Sequence, residues 1–132
     1  MNRRGRRYSV AQSALLTEKG RLITIGCDEE CRAVVGAAAD DHGVMCIHFG
    51  ADVEHIALRY HGFILHAVIN GDAISDLTGL LKLLMECGVF LISIEGNNRD
   101  ASSAAKLHCA RNYTIRDCPE FNETVMLAVI NY

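Results

Sequence analysis

The fold is decided by the segment from Asp76 to Gly96, which reads DLTGLLKLLMECGVFLISIEG. Its leucines recur at the spacing of one helical face: Leu77, Leu80, Leu81 and Leu84. Gly88 follows this pattern and suits the left-handed conformation that often ends a helix. The apolar run VFLISI comes next and is typical of a buried strand. The segment therefore predicts a turn, a helix and a strand in succession.

A weaker copy of this unit lies earlier in the chain. Residues 23–49, ITIGCDEECRAVVGAAADDHGVMCIHF, align without a gap on residues 68–94, VINGDAISDLTGLLKLLMECGVFLISI. The alignment pairs Gly26 with Gly71 at the turn, and it also pairs the glycines that end the two helices. Each copy predicts a strand, a glycine turn, a helix with a polar start and a second strand. The chain is therefore expected to contain two β-α-β units.

The remaining segments complete the predicted fold, a single α/β (or α+β) domain over residues 8–132 with one sheet and packed helices. The apolar segments YSVAQSALLT and RLITIG flank the short loop EKG, which predicts an N-terminal β-hairpin. Further patterns predict a helix that begins after Asp52, a helix over 101–111 capped by Asp100, and closing strands over 113–117 and 124–132.

Residues 1–7 form a separate region, because they hold four arginines and no apolar run. We expect a disordered basic arm there. The whole chain has a net charge of −3, with 13 basic and 16 acidic residues, so the part outside the arm is clearly acidic. An acidic surface repels phosphate backbones. Nucleic acid is therefore not the expected partner, although the arm leaves an RNA- or protein-interaction module as one alternative function.

The distribution of apolar residues bears on location and assembly. Half of the 132 residues are hydrophobic, yet no apolar run reaches the roughly 18–20 residues that span a bilayer. The arginines at the start are not followed directly by an apolar stretch, as they would be in a secretory signal. We therefore expect a cytoplasmic protein with no membrane partner. So many apolar residues in a short chain with several strands also predict a homo-oligomer.

Six cysteines raise the question of disulfide, metal and thiol chemistry. Most lie inside apolar segments, as Cys46, Cys87 and Cys109 do, which favours reduced thiols that pack as small hydrophobes. Cys27 and Cys31 form CDEEC, a spacing that two zinc ligands can have, but no second pair accompanies it. Cys46 and His48 share one face of a predicted strand, and the other histidines are scattered. We expect no metal and no cofactor.

A catalytic thiol is the main enzymatic alternative. A helix N-terminus or a neighbouring cation lowers the pKa of a cysteine. Cys27 and Cys31 lie at a predicted helix start but beside three carboxylates. Cys118 has Arg116 close by in sequence but also Asp117. The opposing charges predict no catalytic residue. The chain also lacks GxGxxG, GxxxxGK[ST] and GxSxG motifs.

The second copy, Phe63–Gly96, resembles the first half of an ACT domain. The resemblance is carried by Asp76, Gly79 and Leu80 at the turn and by the step from Gly88 to Val89. It covers about a quarter of the chain, with Thr78 where the family often has proline. ACT domains have an antiparallel βαββαβ sheet, associate through strands and helices, and bind small effectors, often amino acids, near the glycine turn. The resemblance therefore implies a regulatory, small-molecule-binding module without catalytic activity.

The predicted ligand site is the turn between the second-copy strand and its helix. A glycine at a helix start lets backbone N–H groups face a carboxylate, and Asp76 would face the ammonium group of an amino acid. The residues expected to bind are Asn70, Gly71, Asp76, Thr78 and Gly79. In the competing interpretation Asp76 only caps the helix. A thiol or sulfur-transfer enzyme of the DsrE-like fold, with a parallel sheet and an exposed cysteine at a strand end, stays open as the other alternative.

Overall fold

The computed structural model describes residues 20–52, 64–96 and 99–129. The predicted basic arm, the first segment of the predicted hairpin and the body of the helix predicted after Asp52 lie outside these ranges.

Six strands and three helices make up the described chain. The strands are β1 (Arg21–Ile25), β2 (Cys46–Phe49), β3 (Ile64–Asn70), β4 (Leu91–Glu95), β5 (Tyr113–Cys118) and β6 (Glu123–Ala128). The helices are α1 (Glu29–Asp41), α2 (Leu77–Glu86) and α3 (Arg99–Cys109), and short 3₁₀ turns cover Gly71–Ala73 and Pro119–Phe121. None of the helices in the described ranges has the length and apolar content needed to cross a membrane.

The strands form one mixed sheet in the order β2-β1-β3-β4-β6-β5. β2, β1, β3 and β4 are parallel, and β6 runs antiparallel to both β4 and β5. The α/β fold with one sheet is thus confirmed. The antiparallel βαββαβ arrangement that the ACT resemblance implied is not present in the described strands. The N-terminal hairpin prediction is wrong for β1, because β2 and β3 occupy both of its edges in parallel pairing.

The two predicted β-α-β units are confirmed with nearly identical bounds. When the first copy is shifted by the offset of the sequence alignment, the ends of β1 and α1 fall on the ends of β3 and α2. The copies differ at the helix start. α1 begins directly after its cap Asp28, whereas the chain makes a 3₁₀ turn over Gly71–Ala73 before α2 begins after its cap Asp76.

The two copies end their helices in the same way. Gly43 has φ +65° and Gly88 has φ +71°, so both lie in the left-handed region. Val44 N–H then bonds back to Ala39, and Val89 N–H bonds to the equivalent Leu84. These bonds satisfy carbonyl groups that a helix end leaves open.

The core has two layers because alternate residues of a strand face opposite sides of the sheet. On one side, Leu22 and Val68 pack against Cys31 and Val35 of α1. On the other side, the larger cluster joins Ile23 of β1 and its neighbours in the sheet to α2 and α3. The successive units therefore place their helices on opposite faces, as in doubly wound folds.

The last part of the chain closes the sheet beneath α3. The helix predicted over 101–111 is observed from Arg99, so Asp100 lies within the first turn and does not precede it. Asp117 of β5 joins α3 to the sheet, since it accepts hydrogen bonds from Ser102 (3.0 Å), Lys106 (2.7 Å) and Thr124 (3.1 Å). Both predicted closing strands are present as β5 and β6.

Candidate functional site

The candidate site lies where the chain changes direction across the sheet. From β1 the chain crosses over α1 to β2 on one side, and from β3 it crosses over α2 to β4 on the other. The carboxyl ends of the neighbouring strands β1 and β3 are therefore followed by loops that separate. A crevice at such a point is where open α/β sheets commonly bind ligands.

The loops that follow β1, β2 and β3 meet at this crevice. A Cβ atom built on Gly26 would lie 3.2 Å from Cβ of Ala73 and 3.6 Å from Cα of Ala51. Only a glycine therefore fits comfortably between the other two loops. A hydrogen bond also holds the start of the β1 loop against the end of β2, because Gly26 N–H donates to the Phe49 carbonyl at 3.0 Å.

A cavity of about 290 Å³ opens beside this meeting point, between the β2 loop and the start of α2. Ligand pockets in proteins typically have about 300 Å³ or more, so this volume suits a small metabolite. Apolar and polar groups both line it: Ala51, Ile74, Ser75, Asp76, Gly79, Leu80 and Leu83.

Asp76 and Gly79 are the two predicted binding residues that line the cavity. Asp76 accepts a hydrogen bond from Gly79 N–H at 3.0 Å and so caps α2. The sequence predicts that this N–H faces a ligand carboxylate; in the structure it bonds to Asp76 instead, and contact of Gly79 with a ligand stays a prediction. One carboxylate oxygen of Asp76 makes this bond, and the side chain remains exposed.

The other three predicted residues lie near the cavity without lining it. Asn70 accepts from Asp72 N–H at 3.2 Å and starts the 3₁₀ turn. Gly71 is buried, and a Cβ there would lie 3.0 Å from the Ile94 side chain. Thr78 is half-buried in the first turn of α2. These residues shape the turn in the structure, and their contact with a ligand stays a prediction.

Acidic residues dominate the loops at this end of the sheet. The described loops after the parallel strands cover 26–28, 50–52, 71–76 and Gly96, and they contain Asp28, Asp52, Asp72 and Asp76 but no Lys, Arg or His. Asp28 and Asp76 also cap α1 and α2, so their negative charges lie at the positive ends of the helix dipoles and offset that positive charge. The loops therefore favour a ligand with hydrogen-bond donors or positive charge over a phosphate.

The cysteines that the sequence singled out take up structural positions. Cys27 follows β1 and is half-buried, with Sγ 3.4 Å from the Val68 carbonyl oxygen, to which the thiol donates. Cys31 is fully buried under α1, and Cys118 is buried against Leu91 and Val125. All six cysteines are unbridged in the structure. Within the described ranges no three His, Cys, Asp or Glu side chains converge as metal ligands do.

A second group of polar side chains joins β1 to β2 on the α1 side of the sheet. His48 Nδ1 lies 2.8 Å from Thr24 Oγ1, and His48 Nε2 lies 3.8 Å from Cys46 Sγ. Burial and the nearby Asp40 raise the pKa of Cys46 to about 11, while burial and Arg32 lower the pKa of His48. Near neutral pH both groups are uncharged, so this pair does not supply the thiolate that nucleophilic catalysis requires.

Sequence reasoning identified some of the residues of the cavity and of the Thr24, Cys46 and His48 group. It found the Asp76 turn, and it noted that Cys46 and His48 share a strand face. It did not find Ala51 or Thr24, because each reaches its group from a different segment of the chain, and it passed over Ile74, an apolar residue within the predicted turn itself. The glycine-to-acid pattern repeated after β1 and β2, at Gly26-Cys27-Asp28 and Gly50-Ala51-Asp52, was the signal that could have indicated converging loops.

Comparisons with known proteins show only distant likeness. No protein-family model and no curated protein matches the chain. Among solved structures, the chain is similar to a precorrin 8w decarboxylase from Methanobacterium thermoautotrophicum, with 11% identity, a TM-score of 0.46 and coverage of 92% of this chain and 90% of the other. It is also similar to an uncharacterized protein from Listeria monocytogenes, with 14% identity, a TM-score of 0.38 and coverage of 93% and 68% respectively.

Proposed function

We propose that this protein is a binding module for a small, phosphate-free metabolite that presents amino or hydroxyl donors. The observation that carries the proposal is the cavity beside the crevice between β1 and β3, where three loops converge. Ligands of doubly wound sheets bind outside the carboxyl ends of strands at this position.

The charge of the loops selects the chemical class of the ligand. Asp76 lies on the cavity wall, and the loops at this end of the sheet carry acidic and no basic residues in the described ranges. Carboxylates accept hydrogen bonds and attract ammonium groups, while they repel phosphates. Free amino acids and nucleosides both present such donors, whereas nucleotides add unfavourable charge.

The lining of the cavity indicates which other chemical groups the ligand contains. Ile74, Leu80 and Leu83 provide apolar contact, and the exposed Ser75 provides a hydroxyl at the rim. This combination of an apolar wall with a few polar groups is typical of small-molecule sites. A ligand with an apolar side chain or base and a polar amine or hydroxyl group fits it.

The regulatory role and the homo-oligomer belong to the same proposal. A ligand stabilises the state that binds it, so a ligand that binds two states differently would change how the module associates with a partner. β2 and β5 are the outer strands of the described sheet, and a second copy would associate there most simply. Light scattering at high micromolar concentration tests the oligomer, and a monomer would contradict it.

The proposal is tested by thermal denaturation of the full chain with amino acids, nucleosides and the matching nucleotides. We expect a member of the first two classes to raise the melting temperature, because a ligand at 100 times its dissociation constant adds about 2.7 kcal/mol of stability. The matching nucleotides should give smaller shifts. No shift from any amino acid or nucleoside would contradict the proposal.

A pair of matched variants locates the effect. Ala51→Leu adds the same atoms to the cavity wall that Ala37→Leu adds to the exposed side of α1, which lines a separate cleft and not this cavity. We expect Ala51→Leu to abolish the ligand shift and Ala37→Leu to retain it. An equal shift in both variants would place the ligand elsewhere and overturn the assignment of the cavity.

A further inference from the structure

A second candidate site lies between α1 and β2 and shares no lining residue with the metabolite cavity. Its polar core is formed by Cys46 and His48, two residues apart on β2, and by Thr24 on β1. Thr24 and His48 are register partners in the parallel pair β1–β2. Thr24 is fully buried, so the position of its hydroxyl is set by the sheet.

The hydroxyl of Thr24 determines which nitrogen of His48 faces the sulfur. It lies 2.8 Å from Nδ1, and the ring then directs Nε2 towards Cys46 Sγ at 3.8 Å. Histidines that bind metals commonly have their second ring nitrogen held by a hydrogen-bond partner of this kind. The arrangement thus has both a pair of donor atoms and the outer contact that orients one of them.

The separation of sulfur and nitrogen suits a single metal ion. Zinc binds thiolate sulfur at about 2.3 Å and imidazole nitrogen at about 2.0–2.1 Å, and a tetrahedral angle between these bonds separates the donors by roughly 3.5 Å. The observed 3.8 Å is close to that value. The two atoms need to approach by only a few tenths of an ångström to reach this tetrahedral separation.

The surroundings leave space for the other ligands of the ion. A cleft of about 470 Å³ lies beside His48, and its α1 wall is built from the small residues Ala33, Gly36 and Ala37. A Cβ on Gly36 would lie 3.9 Å from His48 Nε2. Glu29 and Asp40 line the cleft and favour a cation, while Arg32 opposes it.

We propose that Cys46 and His48 form a two-donor site for a thiophilic divalent cation of the zinc and cadmium class, with Thr24 as a positioning residue. Solvent fills the remaining coordination positions, since no third protein donor converges there in the described ranges. On binding, the metal replaces the thiol proton of Cys46, and that proton passes to the solvent. Soft thiolate and imidazole donors together select these metals over magnesium or calcium.

The test is a titration of the reduced full chain with cadmium chloride, followed by the ultraviolet charge-transfer absorption of the cadmium–thiolate bond. We expect one saturable step that Cys46→Ala removes and His48→Gln weakens at least tenfold. Cys87→Ala removes a different half-buried thiol and should leave the step unchanged. Retention of the step in Cys46→Ala, or unchanged affinity in His48→Gln, would overturn the site.

Variants at Thr24 separate positioning from a general structural role. Thr24→Val keeps the volume and removes the hydroxyl, and we expect cadmium affinity to fall about 10–100-fold, as for other outer contacts of metal ligands. Thr24→Ser retains the hydroxyl and should restore most of the affinity. Equal losses in the valine and serine variants would contradict the positioning role, with circular dichroism confirming that both remain folded.

Discussion

The carboxylate of Asp76 occupies the space that a side chain on Gly79 would need. It accepts a hydrogen bond from Gly79 N–H at 3.0 Å, and a Cβ on Gly79 would collide with its second oxygen. The cap of α2 and the glycine three residues later therefore depend on each other. This dependence explains the Asp-x-x-Gly pattern of the turn without a ligand.

The first prediction compares the same substitution in two helices. Gly36 lies inside α1 with only the His48 ring near its Cβ position, at 3.9 Å. Gly36→Ala should raise the free energy of unfolding by about 0.5–1 kcal/mol, because glycine is unfavourable in a helix interior. Gly79→Ala should give no such gain, because rotating the Asp76 carboxylate loses a cap worth about 1 kcal/mol. Urea denaturation measures both.

Asp76→Ala provides the control for this comparison. It should cost about 1 kcal/mol in the natural chain and much less in the Gly79→Ala background, where the cap is already displaced. Equal costs in the two backgrounds would show that the cap and the glycine are independent.

The second prediction concerns the glycines that end α1 and α2. At both Gly43 and Gly88 a Cβ would meet nothing within 4 Å, so only the backbone conformation opposes a side chain. Alanine at either position should destabilise the fold by about 1–2 kcal/mol through its left-handed φ. Asparagine should cost less than alanine at both positions. Thermal denaturation of the four variants checks this, and a large difference between the two positions would contradict a shared cause.

The third prediction concerns the pH dependence of stability that arises from Asp117. Hydrogen bonds from Lys106, followed by those from Ser102 and Thr124, lower the pKa of this partly exposed carboxyl group. A pKa that is lower in the folded state stabilises the fold above the unfolded value, near 3.9, and this stabilisation disappears as the pH falls through the folded pKa. Asp117→Asn should therefore be less stable than the natural chain at pH 7, and the difference should shrink below about pH 4.

Glu120→Gln serves as the comparison for Asp117→Asn, because it removes one exposed carboxylate from the neighbouring turn. Its effect on the urea midpoint at pH 7 should be smaller. A constant difference between Asp117→Asn and the natural chain from pH 7 to pH 3 would contradict the linkage.

The fourth prediction concerns Tyr113, whose buried hydroxyl donates a hydrogen bond to the Val89 carbonyl. Tyr113→Phe should cost about 1–3 kcal/mol near pH 8, because the carbonyl loses its partner. Burial, followed by the charges of Cys109 and Cys87, raises the pKa of Tyr113 to about 12. The unfolded chain loses this proton near pH 10, so the natural protein should lose stability between pH 10 and 12 and the gap to the variant should narrow. Denaturation curves of both proteins across this range measure the difference in their free energies of unfolding. A difference that stays constant from pH 10 to 12 would contradict the raised pKa of the hydroxyl.

Much of the fold was predictable because its signals are local. Glycine, leucine spacing and apolar runs mark the bounds of both β-α-β units, and the offset between the two copies is preserved from strand ends to helix ends. The hairpin prediction failed for the opposite reason. Two apolar segments around a short loop suggest local pairing, but β1 pairs with β2 and β3 from later in the chain.

The two candidate sites show the same limit. The turn from Asn70 to Gly79 was found because its residues are consecutive, whereas Ala51 reaches the cavity from the preceding unit. Thr24 meets His48 only through the register of two parallel strands. Periodicity predicts which face of a strand a residue occupies, but it does not contain the order of the strands in the sheet.

The position of β6 determines when the described sheet can be completed during synthesis. β6 is the last of the described strands in sequence, yet it lies between β4 and β5 in the sheet. While the ribosome is still adding residues 123–128, the edge of β4 that β6 will cover lacks this partner. β5 cannot yet join the sheet either, because it pairs with the sheet through β6. An unpaired strand edge can pair with another chain. The nascent protein therefore passes through an aggregation-prone interval that ends only when β6 emerges.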